Sequence, residues 1–138
     1  MAQTQHKCQV TSLDHLVLTV SDIKRTLTFY QETLGMQVDR FNAADGSTRW
    51  ALKFGQSKIN LHQSGQEFEP KAARPTSGSA DICFVSDSDI QQWQEHFGKQ
   101  GVKIEMGPVT RTGALGKLIS LYIRDPDGNL IEVAQQQS

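Results

Sequence analysis

Apolar and polar residues alternate in a pattern that occurs twice along this chain. A strand-like run starts near Leu13 in the first half and near Ala80 in the second, and each leads into apolar residues at helical spacing. Three further strand-like runs, separated by turn residues, complete each half. A pattern written twice predicts two copies of one βαβββ unit, packed in an α+β fold with a curved mixed sheet around a cleft.

The turn and capping residues predict the boundaries of these elements. The first helix is expected to start after Ser21 or Asp22 and the second after Ser88 or Asp89. They are expected to end at Gly35 and Gly101. The predicted strands are 13–20, 36–41, 49–54 and 58–63 in the first half, and 81–85, 102–106, 118–124 and 129–134 in the second. The predicted organisation is a flexible N-terminal tail (1–11) and one domain (12–134), made of a first unit (12–64), a linker (65–79) and a second unit (80–134).

Strand alternation predicts which side chains face away from the helices. Successive side chains of a strand point to opposite faces, so Leu16, Leu18 and Val20 face the first helix and His15 faces the opposite way. The same count gives this opposite face five polar residues that interrupt apolar strands: His15, Asn60, His62, Asp81 and Glu132. Each residue taken singly is more often a satisfied core group, but their shared face predicts a polar cleft between the two units.

Two imidazoles and two carboxylates in one cleft indicate a metal site. Neutral histidine and ionised carboxylate are ligands for divalent Ni, Zn, Mn, Co or Fe, and the cation would offset the burial of two negative charges. The sequence therefore predicts one divalent ion held by His15, His62, Asp81 and Glu132.

Charge and cysteine content narrow the function classes. A net charge of −1 over 138 residues, with both signs interspersed, argues against nucleic acid or an anionic membrane as a partner. Cys8 and Cys83 are too few for a disulfide framework, and the polar N-terminus lacks the apolar segment of a signal peptide. A cytoplasmic protein that acts on a small molecule is expected.

Three sequence motifs resemble one protein family. They are Leu13-Asp14-His15, the helix end Phe29-Tyr30 with Leu34-Gly35-Met36, and Arg124-Asp125-Pro126-Asp127-Gly128-Asn129-Leu130-Ile131-Glu132. This set resembles the glyoxalase/bleomycin-resistance/dioxygenase superfamily, also called vicinal oxygen chelate proteins. The segments Asn60-Leu61-His62, 67–72 and 111–114 resemble most closely the short glyoxalase-domain-containing proteins of the type numbered five. The resemblance implies paired βαβββ modules, a divalent metal that chelates neighbouring substrate oxygens, and a homodimer.

The resemblance also assigns metal ligands by position. His15 and Glu132 match the family pattern, whereas Asp81 stands where the second module usually has a histidine. Glyoxalase I places a glutamate at the position of Asn60, and His62 lies two residues further on. The expected ligands are therefore His15, His62 and Glu132 with Asp81 as the fourth, and Asn60 is the weaker candidate. Thr19 replaces an arginine that glyoxalase I uses for glutathione, so use of glutathione is in doubt.

Three function classes follow from the resemblance. The first is a glyoxalase-like lyase or isomerase, in which Glu132 or Asp81 moves a proton between adjacent carbons. The second is an extradiol-dioxygenase-like Fe(II) enzyme, favoured by Tyr122 but not by Asp81. The third is a non-catalytic small-molecule or antibiotic-binding protein of the bleomycin-resistance type.

Two arginines are candidates for substrate binding beside Asn60. Arg111 lies in a segment read as a loop that covers the cleft, where it could clamp a substrate anion or be an ordinary surface residue. Arg124 shares the cleft face by strand parity, although the adjacent Asp125 offers an ordinary ion pair.

Overall fold

The computed structural model describes residues 7–138, and residues 1–6 of the predicted N-terminal tail lie outside the described residues. Eight strands and two helices follow one another as two βαβββ modules, which confirms the predicted α+β class. Module one contains β1 His15–Val20, α1 Ile23–Leu34, β2 Gln37–Asn42, β3 Thr48–Phe54 and β4 Ser57–Gln63. Module two contains β5 Asp81–Val85, α2 Ile90–Gln100, β6 Met106–Gly113, β7 Gly116–Arg124 and β8 Leu130–Gln136.

Each module forms its own four-stranded mixed sheet. The strand orders are β1-β4-β3-β2 and β5-β8-β7-β6, in which β1 runs parallel to β4 and β5 runs parallel to β8. The fold therefore contains two mixed sheets, one from each βαβββ module. In the described residues β1 and β5 each pair with one neighbour only, so both remain edge strands.

Local capping explains where the two helices begin and end. The carboxylate of Asp22 accepts from the backbone N–H of Arg25 at 3.1 Å, which satisfies a free donor at the start of α1. Gly35 and Gly101 end the helices in the left-handed conformation, with φ of 71° and 68°. Glycine adopts this conformation without a steric penalty, which is why each helix stops there.

The two modules share one hydrophobic core. The helix-facing residues predicted from strand parity, including Val20, Ile59 and Ile131, are fully buried. Phe54 of module one meets Phe84 of module two edge-to-face, with ring centroids 5.1 Å apart. The modules therefore pack through their helices and apolar sheet faces.

The prediction of a strand over 102–106 was wrong. The strand β6 starts at Met106 and continues to Gly113. Its pairing with β7 is interrupted by a bulge between Met106 and Val109. Gly107 has φ of 114°, and a Cβ at this position would collide with the carbonyl oxygen of Ser120. Glycine and proline are both depleted in strands, so Gly107 and Pro108 gave the sequence of this segment no strand-like pattern.

No helix in the described part of the chain is both long enough and apolar enough to cross a membrane.

Candidate functional site

The sheet face of module one that lies away from α1 carries His15, Asn60 and His62. Parallel register pairs Val17 with Asn60 and Thr19 with His62, so these side chains share the face that strand parity predicted. Oδ2 of Asp14 lies 2.7 Å from Nδ1 of His15. A carboxylate at Nδ1 favours the tautomer whose Nε2 is free to bind a metal.

Asn60 lies at the centre of this face and has an unpaired polar atom. Its Oδ1 is buried and has no hydrogen-bond partner among residues 7–138. An amide oxygen is an acceptable ligand for a hard cation, so this orphaned acceptor fits a metal position.

His62 occupies a different environment from His15. Its side chain is only 7% exposed and its ring meets Phe68 edge-to-face at 5.4 Å. The guanidinium of Arg49 stacks 3.7 Å from the centre of the same phenylalanine ring. Burial, and secondly the positive charge of Arg49, lower the pKa of His62 below its usual value, although Glu67 opposes the shift.

Strand register separates His62 from His15. His15 pairs with Lys58, whereas His62 lies four residues beyond Lys58 on β4. At about 3.3 Å per residue, the two rows lie about 13 Å apart along the strands. The two side chains therefore start from different rows of the sheet, and Asn60 lies between them along β4. That His15 and His62 bind one ion stays a prediction.

The corresponding face of module two carries Asp81, Cys83, Glu132 and Tyr122. Glu132 pairs with Cys83 on one side and with Tyr122 on the other, so the three side chains form a row across the sheet. Burial, followed by the nearby carboxylates of Glu132 and Asp81, raises the pKa of Cys83 to about 11. Glu132 and Tyr122 of this row, together with Asp81 and both arginines, line a cavity of about 430 Å³.

The two arginines bind residues of this cavity. Nε of Arg111 donates to the hydroxyl of Tyr122 at 2.8 Å, and Arg111 lies on β6 rather than in the predicted loop. Nε of Arg124 donates to Glu105 at 3.1 Å, so the ion pair suggested with Asp125 is not formed. Asp125 is instead buried and accepts from Tyr30 and Asn129.

The two modules present equivalent polar pairs. Asn60 lies two residues beyond the β4 partner of His15, and Glu132 lies two residues beyond the β8 partner of Asp81. His15 and Asn60 therefore occupy the same places in module one as Asp81 and Glu132 do in module two. We call these two pairs the half-sites.

The structure does not bring the half-sites together within one chain. Among residues 7–138, no group of three or more His, Cys, Asp or Glu side chains is close enough to hold a metal ion. That these residues ligate a metal stays a prediction. One imidazole, two carboxylates and one amide oxygen are nevertheless a suitable set for a hard or borderline divalent ion, so the residues fit the group.

A second cavity beside module one was missed by the sequence analysis. It measures about 360 Å³ and lies between the ends of β1 and β4 and the linker 65–79, so that its wall includes Thr19, His62, Lys71 and Arg74. The sequence indication of an anion site was two basic residues in a linker that contains two prolines. Only the tertiary fold places that linker over His62.

Comparison with known proteins identifies the family. Residues 12–133 match the Glyoxalase/Bleomycin resistance protein/Dioxygenase superfamily. The chain belongs to this superfamily. Its members generally use a divalent metal.

Several similar proteins match over most of their length. Virulence protein STM3117 from Salmonella typhimurium is 54% identical over 123 residues, which cover 89% of this chain and 83% of that protein. Glyoxalase domain-containing protein RDO1 from Mycosarcoma maydis is 50% identical over 133 residues, covering 96% and 73% of the two proteins. The solved structure of VPC_CASS1, from the mobile metagenome of V. Pseudocholerae, superposes with a TM-score of 0.90 at 52% identity and covers 96% of this chain and 100% of that chain.

Two more distant relatives are named for two different enzyme activities. Metallothiol transferase FosB from Staphylococcus epidermidis is 27% identical and covers 91% of this chain and 82% of that protein. A lactoylglutathione lyase from Agrobacterium tumefaciens, 22% identical with a TM-score of 0.67 and covering 92% and 95% of the two chains, shows the shared fold alone.

Proposed function

We propose that this protein is a divalent-metal-dependent, glyoxalase-like lyase or isomerase whose metal site is shared between two copies of the chain. The observation that carries the proposal is the equivalence of the two half-sites, which lie in different sheets and are each incomplete. His15 and Asn60 of one copy would meet Asp81 and Glu132 of the other. The bound metal would polarise two adjacent oxygens of the substrate and so make the neighbouring C–H bond more acidic.

The chain's own residues supply the proton transfer. Glu132 is the proposed base, with Asp81 as the alternative, and its carboxylate would take a proton from one carbon and return it to the next. Arg111 donates to the hydroxyl oxygen of Tyr122, which leaves the hydroxyl proton of Tyr122 free for a substrate oxygen. Tyr122 pairs directly with Glu132, so the proposed base and the hydroxyl donor act on one substrate region.

The exposed apolar residues support a second copy as the partner. Val17 on the module one face, and Val85 and Met106 on the module two face, are all exposed large hydrophobic residues. Large apolar side chains on the same face as a polar site are better covered than hydrated. The unpaired edges of β1 and β5 also leave backbone groups available to another chain.

An extradiol-dioxygenase-like activity is the second candidate. The direct pairing of Tyr122 with Glu132 favours it, since an acid–base hydroxyl would lie beside the metal carboxylate. Asp81 in place of histidine disfavours the usual iron triad. Oxygen consumption with catechols would distinguish this activity from proton transfer.

We also propose that, within the superfamily, this chain is most similar to the short glyoxalase-domain-containing proteins of the type numbered five.

Mixing two inactive variants tests the shared site. One chain carries His15→Ala and Asn60→Ala, and the other carries Asp81→Ala and Glu132→Ala. Neither variant alone should bind Mn²⁺ or Ni²⁺ tightly, whereas the wild type should bind about one ion per chain. After unfolding and refolding together, mixed dimers should regain one intact site each, measured by elemental analysis.

Two outcomes would contradict the shared arrangement. Metal content of the mixture no higher than that of either variant would place each site within one chain or nowhere. A monomeric mass of the metal-loaded wild type by light scattering would exclude a site built from two copies. Wild-type protein that stays metal-free after growth in supplemented medium would overturn the whole proposal.

A further inference from the structure

We propose that the cavity beneath the linker 65–79 binds the carboxylate of a small organic acid. This inference deepens the proposed function by naming a substrate class, and it rests on that function only for the claim that the bound acid is a substrate. The binding itself is a property of residues around Thr19 and His62. None of these residues belongs to the two half-sites.

Two nearly buried polar side chains line this cavity without a partner. Thr19 is 8% exposed and His62 is 7% exposed, and parallel register places them side by side. Both line the cavity, and neither side chain hydrogen-bonds to another side chain or to backbone within residues 7–138. Their polar atoms are not enclosed in the way that Oδ1 of Asn60 is, so these atoms open onto the cavity and are available to a polar ligand.

The positive charge of the cavity wall favours a negatively charged ligand. Lys71 and Arg74 contribute two positive charges, and among residues 7–138 no aspartate or glutamate lines the cavity. Nζ of Lys71 lies 3.4 Å from Glu69 and 3.9 Å from Glu67, so its charge is partly offset. Arg74 makes no ion pair with any residue in the described part of the chain. Its planar guanidinium binds a carboxylate through two parallel hydrogen bonds.

The other walls fit an organic body rather than a bare inorganic ion. Val17, Pro70, Ala72 and Pro75 line the same space, which measures about 360 Å³. The hydroxyl of Thr76 is already used, since it donates to the carbonyl oxygen of Arg74. An acid of a few carbons would bury its chain against these apolar residues and present its carboxylate to the free donors.

The cavity lies next to the module one half-site. The Thr19–His62 row is two residues along the strands from the Val17–Asn60 row, or about 7 Å. A substrate whose oxygens are chelated near Asn60 would therefore carry a separate carboxylate about 7 Å from those oxygens. The carboxylate bound in the cavity is thus a different group from the chelating oxygens.

Nuclear magnetic resonance of His62 tests the site directly. The metal-free, full-length protein is titrated with butyrate and, separately, with the uncharged isostere butyramide at equal ionic strength. The imidazole resonance of His62 is identified by its absence in His62→Gln. Butyrate should shift this resonance in a saturable manner and butyramide should not. Arg74→Gln should weaken butyrate binding at least tenfold, and Thr19→Val should weaken it several-fold.

Arg25→Gln is the matched control, because Arg25 is an exposed residue of α1 that does not line the cavity. It should leave butyrate binding unchanged. Equal shifts with butyrate and butyramide, no saturable shift, or equal effects of Arg74→Gln and Arg25→Gln would each overturn the proposal. A wild type that binds metal but not butyrate refutes this inference alone. Butyrate binding without metal binding refutes the proposed enzyme and keeps the carboxylate site.

Discussion

The hydroxyl of Tyr30 donates to Oδ2 of Asp125 at 2.7 Å, and both residues are buried. Tyr30 belongs to α1 of module one, whereas Asp125 begins the turn between β7 and β8 of module two. Burial, and then the charge of Asp125, raise the pKa of Tyr30 far above its usual value, so its hydroxyl remains a donor at all working pH values. This bond joins the two modules at their shared core.

Tyr30→Phe should lower the free energy of unfolding by about 2 kcal/mol, because a buried carboxylate loses a charge-assisted hydrogen bond. Urea unfolding at fixed protein concentration measures the change. Tyr122→Phe is the matched control and should cost less than about 0.5 kcal/mol, since its bond to Arg111 is at the surface. Equal losses in the two variants would show that the Tyr30–Asp125 bond does not contribute specially to module packing.

Asn60→Ala should weaken Mn²⁺ binding by roughly tenfold or more, whereas His62→Ala should change it by less than about threefold. The reason is register, since Asn60 occupies the position equivalent to Glu132 and His62 lies one row further from His15. Isothermal titration with Mn²⁺ measures both variants. A larger loss at His62 would restore the ligand set expected from the sequence and would mean that the face of module one rearranges when metal binds.

Cys83 should react slowly with iodoacetamide at pH 8. A pKa of about 11 leaves roughly a hundredfold fewer thiolates than an ordinary cysteine has. Glu132→Gln should speed the reaction, because removing this carboxylate lowers the cost of forming the thiolate. Glu95→Gln, at an exposed position of α2, should leave the rate unchanged. Mass spectrometry of the Cys83 peptide follows the reaction, and an unchanged rate in Glu132→Gln would refute the coupling.

The stability of the metal-free protein should fall as pH is lowered below about 6.5, in part through His62. Its pKa is lower in the folded protein, so the unfolded chain binds more protons between the folded pKa and about 6.5. The stabilisation from the neutral buried ring is complete above about 6.5 and is lost as pH falls through the folded pKa.

Titration of the His62 resonance checks this prediction. Arg49→Gln should raise the pKa of His62 towards its usual value, because a nearby positive charge is removed, and Arg25→Gln should not. A wild-type pKa at or above about 6.5 would contradict the assigned effect of burial.

Gly107→Ala should destabilise the protein by about 2 kcal/mol or more, since the added Cβ meets the backbone of β7 and φ is positive. Gly98→Ala is the control, because it lies within α2 with open space around it and should stabilise by about 0.5–1 kcal/mol. Thermal unfolding of both variants measures the contrast. A neutral Gly107→Ala would show that the bulge in β6 relaxes easily.

Much of the fold followed from local pattern. The period of two in strands such as β1 and the capping residues Asp22 and Gly35 act within a few residues, so the sequence predicted both modules and the face of each polar residue. The resemblance in the motif around Glu132 pointed to the superfamily that the comparison then confirmed. The strand β6 was misplaced, because the bulge at Gly107 depends on a close approach by β7 and has no local period.

The sequence by itself determined the two modules, their polar faces and the family to which the chain belongs, since alternation and turn residues act locally. Tertiary structure alone decided that the half-sites stay apart within one chain and that the linker encloses a cavity over His62. Register and packing decide these relations because they depend on hydrogen bonds between strands that are distant in sequence.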